Sequence, residues 1–207
     1  MPTAREALLA AAHTAVGTEP WTGVRMVDVA AAAGVSRQTL YNEFGSKEGL
    51  GSALVNRLVD GFLDAAARAA AEAGRRGGAD PAARCAAVAA SILRAARDEP
   101  LVHAALTGCW GPRMPLPSDA GTRQPGARTG DPGELATALC DRMVAGLCAN
   151  GPANGSANGA SGELSQACEA GLRIALSYIV APSALRSEEE ILGRISEVVR
   201  ALLAHGH

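Results

Sequence analysis

Aromatic side chains are scarce in this 207-residue sequence, at 3% of the residues, although hydrophobic residues make up 48%. A sizeable core can therefore be buried, but it must be built mostly from Ala, Leu and Val. Ala is the best helix former. No segment shows the sustained apolar–polar alternation that predicts a half-buried strand. The sequence therefore predicts an all-α protein.

An excess of positive charge is lacking as well. The formal net charge is −2, and Lys47 is the single lysine. Residues 1–48 hold four cations against five anions, a net charge of −1. Many DNA-binding domains carry a basic surface, so the bulk charge gives no support to DNA binding. Any such affinity would have to come from a few well-placed cations, hydroxyls and helix N-termini.

Membrane and secretion signals are also lacking. No apolar run approaches the ~20 residues of a membrane span. Residues 1–15 are charged and amphipathic, unlike a secretory signal. We therefore expect a cytoplasmic protein with no membrane partner.

Cysteines are few and contain no CxxC pair. Their odd number and wide spacing predict reduced, mostly buried thiols in a cytosolic protein. A redox sensor or metal site would need paired thiols, which the spacing does not suggest, so no metal and no cofactor are expected. The five are Cys85, Cys109, Cys140, Cys148 and Cys168.

Capping and breaking signals divide the chain into about nine helices. Thr3 with Glu6, and Ser187 with Glu190, have the spacing of capping boxes. Asp80 and Pro81 are typical of an N-cap followed by the first helical residue. The predicted helices are Thr3 to Val16, Met26 to Ala33, Arg37 to Glu43, Lys47 to Ala73, Pro81 to Asp98, Pro100 to Thr107, Leu135 to Leu147, Glu163 to Ala181, and Ser187 to Ala204.

Two segments are predicted to be mobile loops. Residues 108–133 contain five prolines interleaved with Gly, Ser, Thr and Asp. Residues 149–162 contain a tandem Ala-Asn-Gly repeat with a period of four and no apolar face. Such composition is typical of loops and low-complexity linkers.

The second and third predicted helices form a helix-turn-helix. A short helix, a turn containing Gly and another short helix are the parts of this unit. Gly34 would supply a left-handed turn. Leu40 and Phe44, four residues apart, would pack inward from the third helix, and Val27, Ala30 and Ala31 would form the apolar face of the second.

That packing leaves a polar face on the third helix, formed by Arg37, Gln38, Thr39 and Asn42. Gln and Asn can pair with adenine, and Arg with guanine, in the major groove. An ordinary helix pair in a bundle is the alternative, and it fits so polar a short helix poorly. Phosphate contacts would come from the Tyr41 hydroxyl and from helix starts, where free N–H groups favour anions, at Ser36, Ser46 and Lys47.

This stretch resembles the TetR family of bacterial regulators over about the first 55 residues. The resemblance lies in Val27-x-Val29-Ala30, Ala33-Gly34-Val35-Ser36, Thr39-Leu40-Tyr41, Phe44 and Ser46-Lys47-Glu48. It implies a DNA-reading domain over residues 1–48 and a helical domain over 49–207 that binds a small ligand and dimerises. Two positions depart from the family. Met26 stands where the family usually has a Thr that contacts a phosphate, and Glu43 stands where His is common.

A ligand pocket in the second domain should be mostly apolar with a few polar anchors. Core packing is the alternative role for each candidate. The candidates are Phe62, His103, Leu106, Cys109, Trp110, Met143, Leu147, Cys168, Leu172 and Tyr178.

The last two helices carry apolar stripes that suit a four-helix interface between two subunits. Closing a monomeric core is the alternative. The stripes consist of Leu164, Cys168, Gly171, Leu172, Ala175 and Ile179, then Ile191, Ile195, Val198, Val199 and Leu202.

These features together predict a homodimeric repressor that binds a double-stranded operator and is released by a small, largely apolar effector. One alternative is a co-regulator that has lost DNA binding and acts through protein partners. Met26, Glu43 and the low charge favour that alternative. The sequence shows no nucleophile–base pair, metal-ligand cluster or phosphate loop, so it does not predict an enzyme.

Overall fold

The computed structural model describes residues 2–75, 80–117, 131–148 and 157–205. Within those ranges the chain forms nine α-helices and no strand, which confirms the predicted all-α class. The helices are α1 (Ala4–Thr18), α2 (Met26–Ala32), α3 (Arg37–Phe44), α4 (Lys47–Arg75), α5 (Pro81–Asp98), α6 (Pro100–Thr107), α7 (Pro132–Cys148), α8 (Ala157–Val180) and α9 (Glu188–His205).

The predicted capping boxes are confirmed at both ends of the chain. At α1 the Thr3 hydroxyl accepts from the Glu6 N–H at 3.2 Å, and the Glu6 carboxylate accepts from the Thr3 N–H at 2.7 Å. Ser187 and Glu190 make the same exchange at α9, at 3.2 and 2.7 Å. Each box satisfies N–H groups that a helix start leaves without partners.

Two helices begin earlier than the sequence indicated. Helix α7 begins at Pro132, because the Asp131 carboxylate accepts from the Gly133 N–H at 2.7 Å and caps it. Helix α8 begins at Ala157, so residues 157–162 are helical rather than part of the predicted loop. The repeat there has no apolar face, so its periodicity could not indicate a helix. The rest of both predicted loops, 118–130 and 149–156, lies outside the described residues.

Two groups of buried residues organise the packing. The first, which we call the N-terminal core, joins α1 to α3 with the start of α4 and one residue of α6. It consists of Leu8, Leu9, Ala12, Trp21, Val24, Val29, Ala30, Leu40, Leu50, Leu54 and Leu101. Because α4 leaves this core at Leu54 and enters the second at Val55, it belongs to both. The division at residues 48 and 49 stays a prediction.

The second group, the C-terminal core, lies among α4 to α9, and α5 packs against α4, α8 and α9. The predicted stripe of α8 points into it, with Cys168, Leu172 and Ala175 buried. On α9, Ile195 and Val199 are also buried there. These residues therefore close the core of their own subunit, and an interface with another subunit would have to use the outward faces of the two helices.

Residues 109–117, which we call the connector, leave α6 and return to the N-terminal core. The Trp21 N–H donates to the Arg113 carbonyl at 2.7 Å. The Ser52 hydroxyl donates to the Leu116 carbonyl at 3.3 Å, and Pro115 is buried beside Gly51. This part of the predicted loop is therefore fastened to α4 and to the turn before α2.

Among the described helices, none combines the length and the hydropathy that a membrane crossing demands.

Candidate functional site

Helix α3 is held against α2 by a tight turn. Gly34 adopts φ +69°, the left-handed conformation predicted for it. The Val35 N–H donates to the Ala30 carbonyl at 3.0 Å, which closes the end of α2. The Ser36 hydroxyl accepts from the Thr39 N–H at 3.1 Å and caps α3. The orientation of α3 is thus fixed by its own start.

The apolar faces of the two helices were predicted correctly for α3 and only partly for α2. Leu40 is fully buried and Phe44 is half-buried against the N-terminal core. On α2 the buried residues are Val29 and Ala30, whereas Ala31 is exposed. Val27 is half-buried, so the buried face of α2 is centred on Val29 and Ala30.

The opposite face of α3 is polar and exposed. The Gln38 side-chain amide donates to the Asn42 carbonyl oxygen at 2.8 Å, so the two amides lie one above the other on the helix surface. Arg37 is exposed beside them. Thr39 is half-buried, and its hydroxyl lies 2.9 Å from that of Ser36. The four predicted base-reading side chains therefore all lie on α3, and three of them are exposed.

Glu43 has a partner that the sequence did not reveal. The Arg5 guanidinium lies 3.6 Å from the Glu43 carboxylate and 4.7 Å from the centre of the Phe44 ring. The same side chain donates to the Glu43 carbonyl at 3.3 Å. Arg5 on α1 therefore compensates the negative charge at the end of α3.

Two of the four cations in residues 2–48 are committed to ion pairs, and two are not. Arg5 pairs with Glu43, and Arg25 pairs with Asp28 at 2.6 Å. Neither Arg37 nor Lys47 makes an ion pair with any residue that the structure describes. Their positive charges remain available to an anion although the domain as a whole is slightly acidic.

Lys47 is positioned by neutral groups. Its Nζ donates to the Thr22 carbonyl at 3.2 Å and lies 5.3 Å from the centre of the Trp21 ring. A carbonyl and an aromatic face stabilise an ammonium without neutralising it. The side chain is therefore held near the start of α4 with its charge intact.

The start of α4 is capped, as predicted, by Ser46, whose hydroxyl accepts from the Gly49 N–H at 3.1 Å. The pKa of Glu48 is lowered by hydrogen bonds from its own backbone N–H and from Ser46. The Glu48 carboxylate therefore already occupies part of this anion-favouring end. Tyr41 is exposed on α3, the location expected of a phosphate contact.

Comparison with known proteins identifies this part of the chain. Residues 8–54 match the family model of bacterial regulatory proteins of the tetR family. A 54-residue match, 46% identical, links the chain to the HTH-type transcriptional regulator AlkX of Mycobacterium tuberculosis. Residues 8–54 are therefore similar to the N-terminal segment of TetR-family regulators. The match to AlkX covers 26% of this chain and 26% of that regulator.

Solved TetR-family structures share the fold of the whole chain. The AlkX repressor of Dietzia sp. strain DQ12-45-1b aligns over 98% of this chain and 97% of its own, with a TM-score of 0.53 and 20% identity. A TetR/AcrR-family regulator of Thermobifida fusca aligns over 97% of each chain, with a TM-score of 0.57 and 19% identity. At this identity the likeness extends to the fold alone.

The predicted ligand-pocket residues divide into three groups. Cys109 is exposed and His103 is half-buried. Trp110 and Tyr178 pack partly buried against the C-terminal core. The remaining six are members of that core, namely Phe62, Leu106, Met143, Leu147, Cys168 and Leu172.

Trp110 differs from the other candidates because its indole N–H is buried and has no hydrogen-bond partner among the residues that the structure describes. A buried donor of this kind costs about 1–3 kcal/mol unless a partner satisfies it. Trp110 also packs against both cores. Among the ten candidates, Trp110 is therefore the best placed to donate a hydrogen bond to a polar group of a bound ligand.

A cavity of about 650 Å³ lies elsewhere, between α1 and the start of α6. It is lined by residues that include His13, Glu99 and Arg113, and by none of the ten predicted candidates. The His13 imidazole lies 2.7 Å from the Glu99 carboxylate across it. Sequence spacing could not reveal this cavity, because its walls come from distant parts of the chain.

Two thiols lie close together although their spacing along the chain does not suggest it. Cys85 on α5 and Cys168 on α8 place their sulfur atoms 2.9 Å apart inside the C-terminal core. The two residues are 83 positions apart. Their proximity depends on how α5 packs against α8, which spacing along the chain cannot show.

Proposed function

We propose that the chain is a TetR-family regulator, a homodimeric repressor that binds a near-palindromic DNA operator and is released by a small molecule. The observation that carries the proposal is the exposed face of α3. It presents Gln38 and Asn42 as a hydrogen-bonded pair. Arg37 and Lys47, the two unpaired cations, lie on α3 itself and at the start of α4.

Base reading is assigned to Arg37, Gln38, Thr39 and Asn42. The side-chain amides of Gln and Asn match the donor and acceptor of adenine in the major groove. The N–H groups of an Arg guanidinium match the N7 and O6 acceptors of guanine. In a two-fold symmetric dimer, the two α3 helices would enter successive major grooves about 34–36 Å apart.

Phosphate contacts are assigned to Ser36, Tyr41, Ser46 and Lys47. Such contacts position the protein and carry little sequence information. Lys47 suits this role because its neighbours hold it in place and leave its charge intact.

The co-regulator alternative loses part of its support. Glu43 would repel phosphate if its charge were uncompensated, but Arg5 lies 3.6 Å from it. Met26 is half-buried against the N-terminal core, so it contributes packing where the family has a phosphate contact. The loss of one phosphate contact weakens binding without abolishing it.

Dimerisation is assigned to the outward faces of α8 and α9. Val180 and Leu202 are 64% and 45% exposed on these helices, although large apolar side chains favour burial. A second copy of the same surface would cover them under two-fold symmetry.

The effector is assigned to the C-terminal domain, with the ten candidate residues as its surroundings and Trp110 as the polar anchor. We expect a largely apolar molecule, because six of the ten lie in the apolar core. The effector must bind one arrangement of the helices better than the other, since equal affinity shifts nothing. A coupling of about 1–3 kcal/mol would suffice for a useful switch.

Helix α4 and the connector are the paths by which the effector would reach α3. Helix α4 contributes Leu50 and Leu54 to one core and Val55 and Val59 to the other. The connector fastens α6 to Trp21 and Ser52. A shift of α6 would therefore move the domain that carries α3.

A salt-dependent titration of DNA with the purified protein tests the proposal. We expect retardation of a fragment from beside the encoding gene, with an affinity that falls steeply as salt increases. Lys47→Ala should weaken binding to this fragment and to random DNA by the same factor. It should also reduce the slope of log affinity against log salt concentration by about one. Absence of any retarded fragment at moderate salt would overturn the repressor assignment.

The matched control is Lys47→Arg, which keeps the charge at the start of α4. It should retain the salt slope of the unchanged protein. If both substitutions weaken binding equally, Lys47 supports the fold around Trp21 and does not contact phosphate.

A further inference from the structure

Two cysteines meet in the interior of the C-terminal core. Cys85 and Cys168 are 2% and 0% exposed, and their sulfur atoms lie 2.9 Å apart. A disulfide has an S–S length of about 2.05 Å. The two sulfur atoms therefore need to move by less than about 1 Å to bond. Neither is in a disulfide in this structure.

The surroundings of the pair distinguish its two members. A hydrogen bond from the Cys168 thiol lowers the pKa of Cys85, against the opposing effect of burial. Burial raises the pKa of Cys140, on the neighbouring helix α7. Cys85 is 2% exposed and Cys168 is 0% exposed, so an entering oxidant meets the Cys85 sulfur first. The thiolate is the reactive form, and the lowered pKa of Cys85 agrees with its assignment as the nucleophile, with Cys168 as the thiol that reacts next.

We propose that Cys85 and Cys168 form a redox-active dithiol that hydrogen peroxide converts into a disulfide joining α5 to α8. The Cys85 sulfur attacks one peroxide oxygen, the O–O bond breaks, and water leaves with formation of a sulfenic acid. The Cys168 sulfur then attacks the Cys85 sulfur, and the S–O bond breaks. The oxygen leaves as a second water with the Cys168 proton. Two thiols are thus oxidised by one peroxide, which is reduced to two waters.

Burial determines which oxidant can act. Cys85 and Cys168 are 2% and 0% exposed, so any oxidant must enter while the helices are briefly open. A peroxide molecule is close to water in size and needs a far smaller opening than a glutathione disulfide. Disulfide exchange also requires direct approach of one sulfur to another. The pair is therefore selective for small peroxides over bulky disulfides. Cys109, which is exposed, lacks this selectivity.

The consequence for regulation rests on the proposed function. Helix α5 packs against both α8 and α4, and α4 reaches the N-terminal core through Leu50 and Leu54. A bond between α5 and α8 fixes the arrangement seen here and opposes any effector-driven shift of these helices. Oxidation then reduces the response of DNA binding to the effector.

The first experiment detects the bond itself and needs no DNA. Native protein is treated with hydrogen peroxide, denatured with an alkylating reagent and digested without reduction, and the peptides are identified by mass spectrometry. We expect a peptide joining Cys85 to Cys168 that dithiothreitol separates, and a higher Tm for the oxidised protein. Oxidised glutathione should modify Cys109 and leave the pair reduced.

A variant that keeps only the pair, Cys109→Ser with Cys140→Ser and Cys148→Ser, should form the same bond. Adding Cys168→Ala should stop the reaction at the sulfenic acid of Cys85, which dimedone traps, with no increase in Tm. If these variants fail to fold, the disulfide-linked peptides of the unchanged protein decide whether the bond forms. A pair that stays reduced while Cys109 is oxidised, or a bond formed only after denaturation, overturns the proposal.

A second experiment separates this proposal from the repressor assignment. Operator affinity is compared for the oxidised and the reduced protein, with Cys168→Ala as the control. If neither form binds DNA but the bond forms, the repressor assignment fails and the dithiol stands. If both forms bind DNA but no bond forms, the dithiol fails and the repressor assignment stands.

Discussion

Gln38 and Asn42 act as a unit on the surface of α3, because the amide of one donates to the other at 2.8 Å. If they contact bases as proposed, each would discriminate adenine from other bases by about 1–3 kcal/mol. We expect Gln38→Ala and Asn42→Ala each to weaken operator binding far more than binding to random DNA. The double variant should lose less than the sum of the two, because contacting residues are coupled. Titrations with operator and random fragments measure both effects.

The expected pattern differs from that of a phosphate contact. A substitution at Lys47 should weaken both kinds of DNA alike. Equal losses on operator and random DNA for Gln38→Ala would show that its amide touches the backbone and not a base. Thermal unfolding of each variant serves as the control, since exposed substitutions on α3 should change Tm little.

Arg5 and Glu43 give a second prediction at the scale of the residue. Arg5→Ala would leave the Glu43 carboxylate uncompensated at the end of α3, so affinity for all DNA should decrease several-fold at low salt. If Arg5 acts by neutralising Glu43, then Glu43→Gln added to Arg5→Ala should restore binding. A double variant as weak as Arg5→Ala alone would instead make Arg5 a phosphate contact.

The features that the sequence predicts correctly are those whose contacts are local. The capping boxes at Thr3 and Ser187, the turn at Gly34 and the inward position of Leu40 all depend on residues within a few positions of one another. The pairings of Arg5 with Glu43 and of Cys85 with Cys168 span 38 and 83 positions. Such pairs depend on how helices pack, which one sequence does not show.

Helix α4 and the connector meet at Gly51. A Cβ atom there would lie 2.9 Å from the Pro115 Cβ and 3.0 Å from the Trp21 ring. We expect Gly51→Ala to displace the connector and to destabilise the protein by about 1–3 kcal/mol, as overpacking does. If the connector transmits the effector signal, the same substitution should reduce the change in DNA affinity that the effector causes.

Gly61 provides a matched control on the same helix. A Cβ atom there meets nothing within 4 Å. Gly61→Ala should therefore stabilise the protein by up to about 1 kcal/mol, because Ala favours the helix over Gly. Denaturant unfolding of both variants measures these two changes in stability. A stabilised Gly51→Ala variant would mean that the connector gives way without cost and does not couple the two cores.

For the whole molecule, the sequence predicts the class of fold and the nine helices of the described residues, and it leaves two roles open for the apolar stripes of α8 and α9. Cys168, Leu172 and Ile195 are buried within their own subunit, whereas Leu202 of the α9 stripe is exposed. A stripe with helical periodicity shows that one face is covered. It does not show whether the same chain or a second one covers it.

The dimer proposal therefore depends on the residues that point away from the core. Val180 and Leu202 are exposed on α8 and α9. We expect Val180→Arg combined with Leu202→Arg to convert a dimer into a monomer at micromolar concentration, as measured by sedimentation equilibrium. Arginine at these positions would place like charges from two subunits beside each other and prevent burial of the 1,200–2,000 Å² or so that a stable interface needs. Operator affinity should decrease with dissociation, because a monomer engages one half-site at a time.

Leu116→Arg is the control, since Leu116 is 62% exposed on the connector and lies outside both helices. It removes a comparable apolar side chain and should leave the dimer intact. A double variant that stays dimeric would place the interface elsewhere. An unchanged protein that is monomeric at the concentrations where it retards operator DNA would remove the symmetric arrangement of two α3 helices, and with it the expectation of a near-palindromic site.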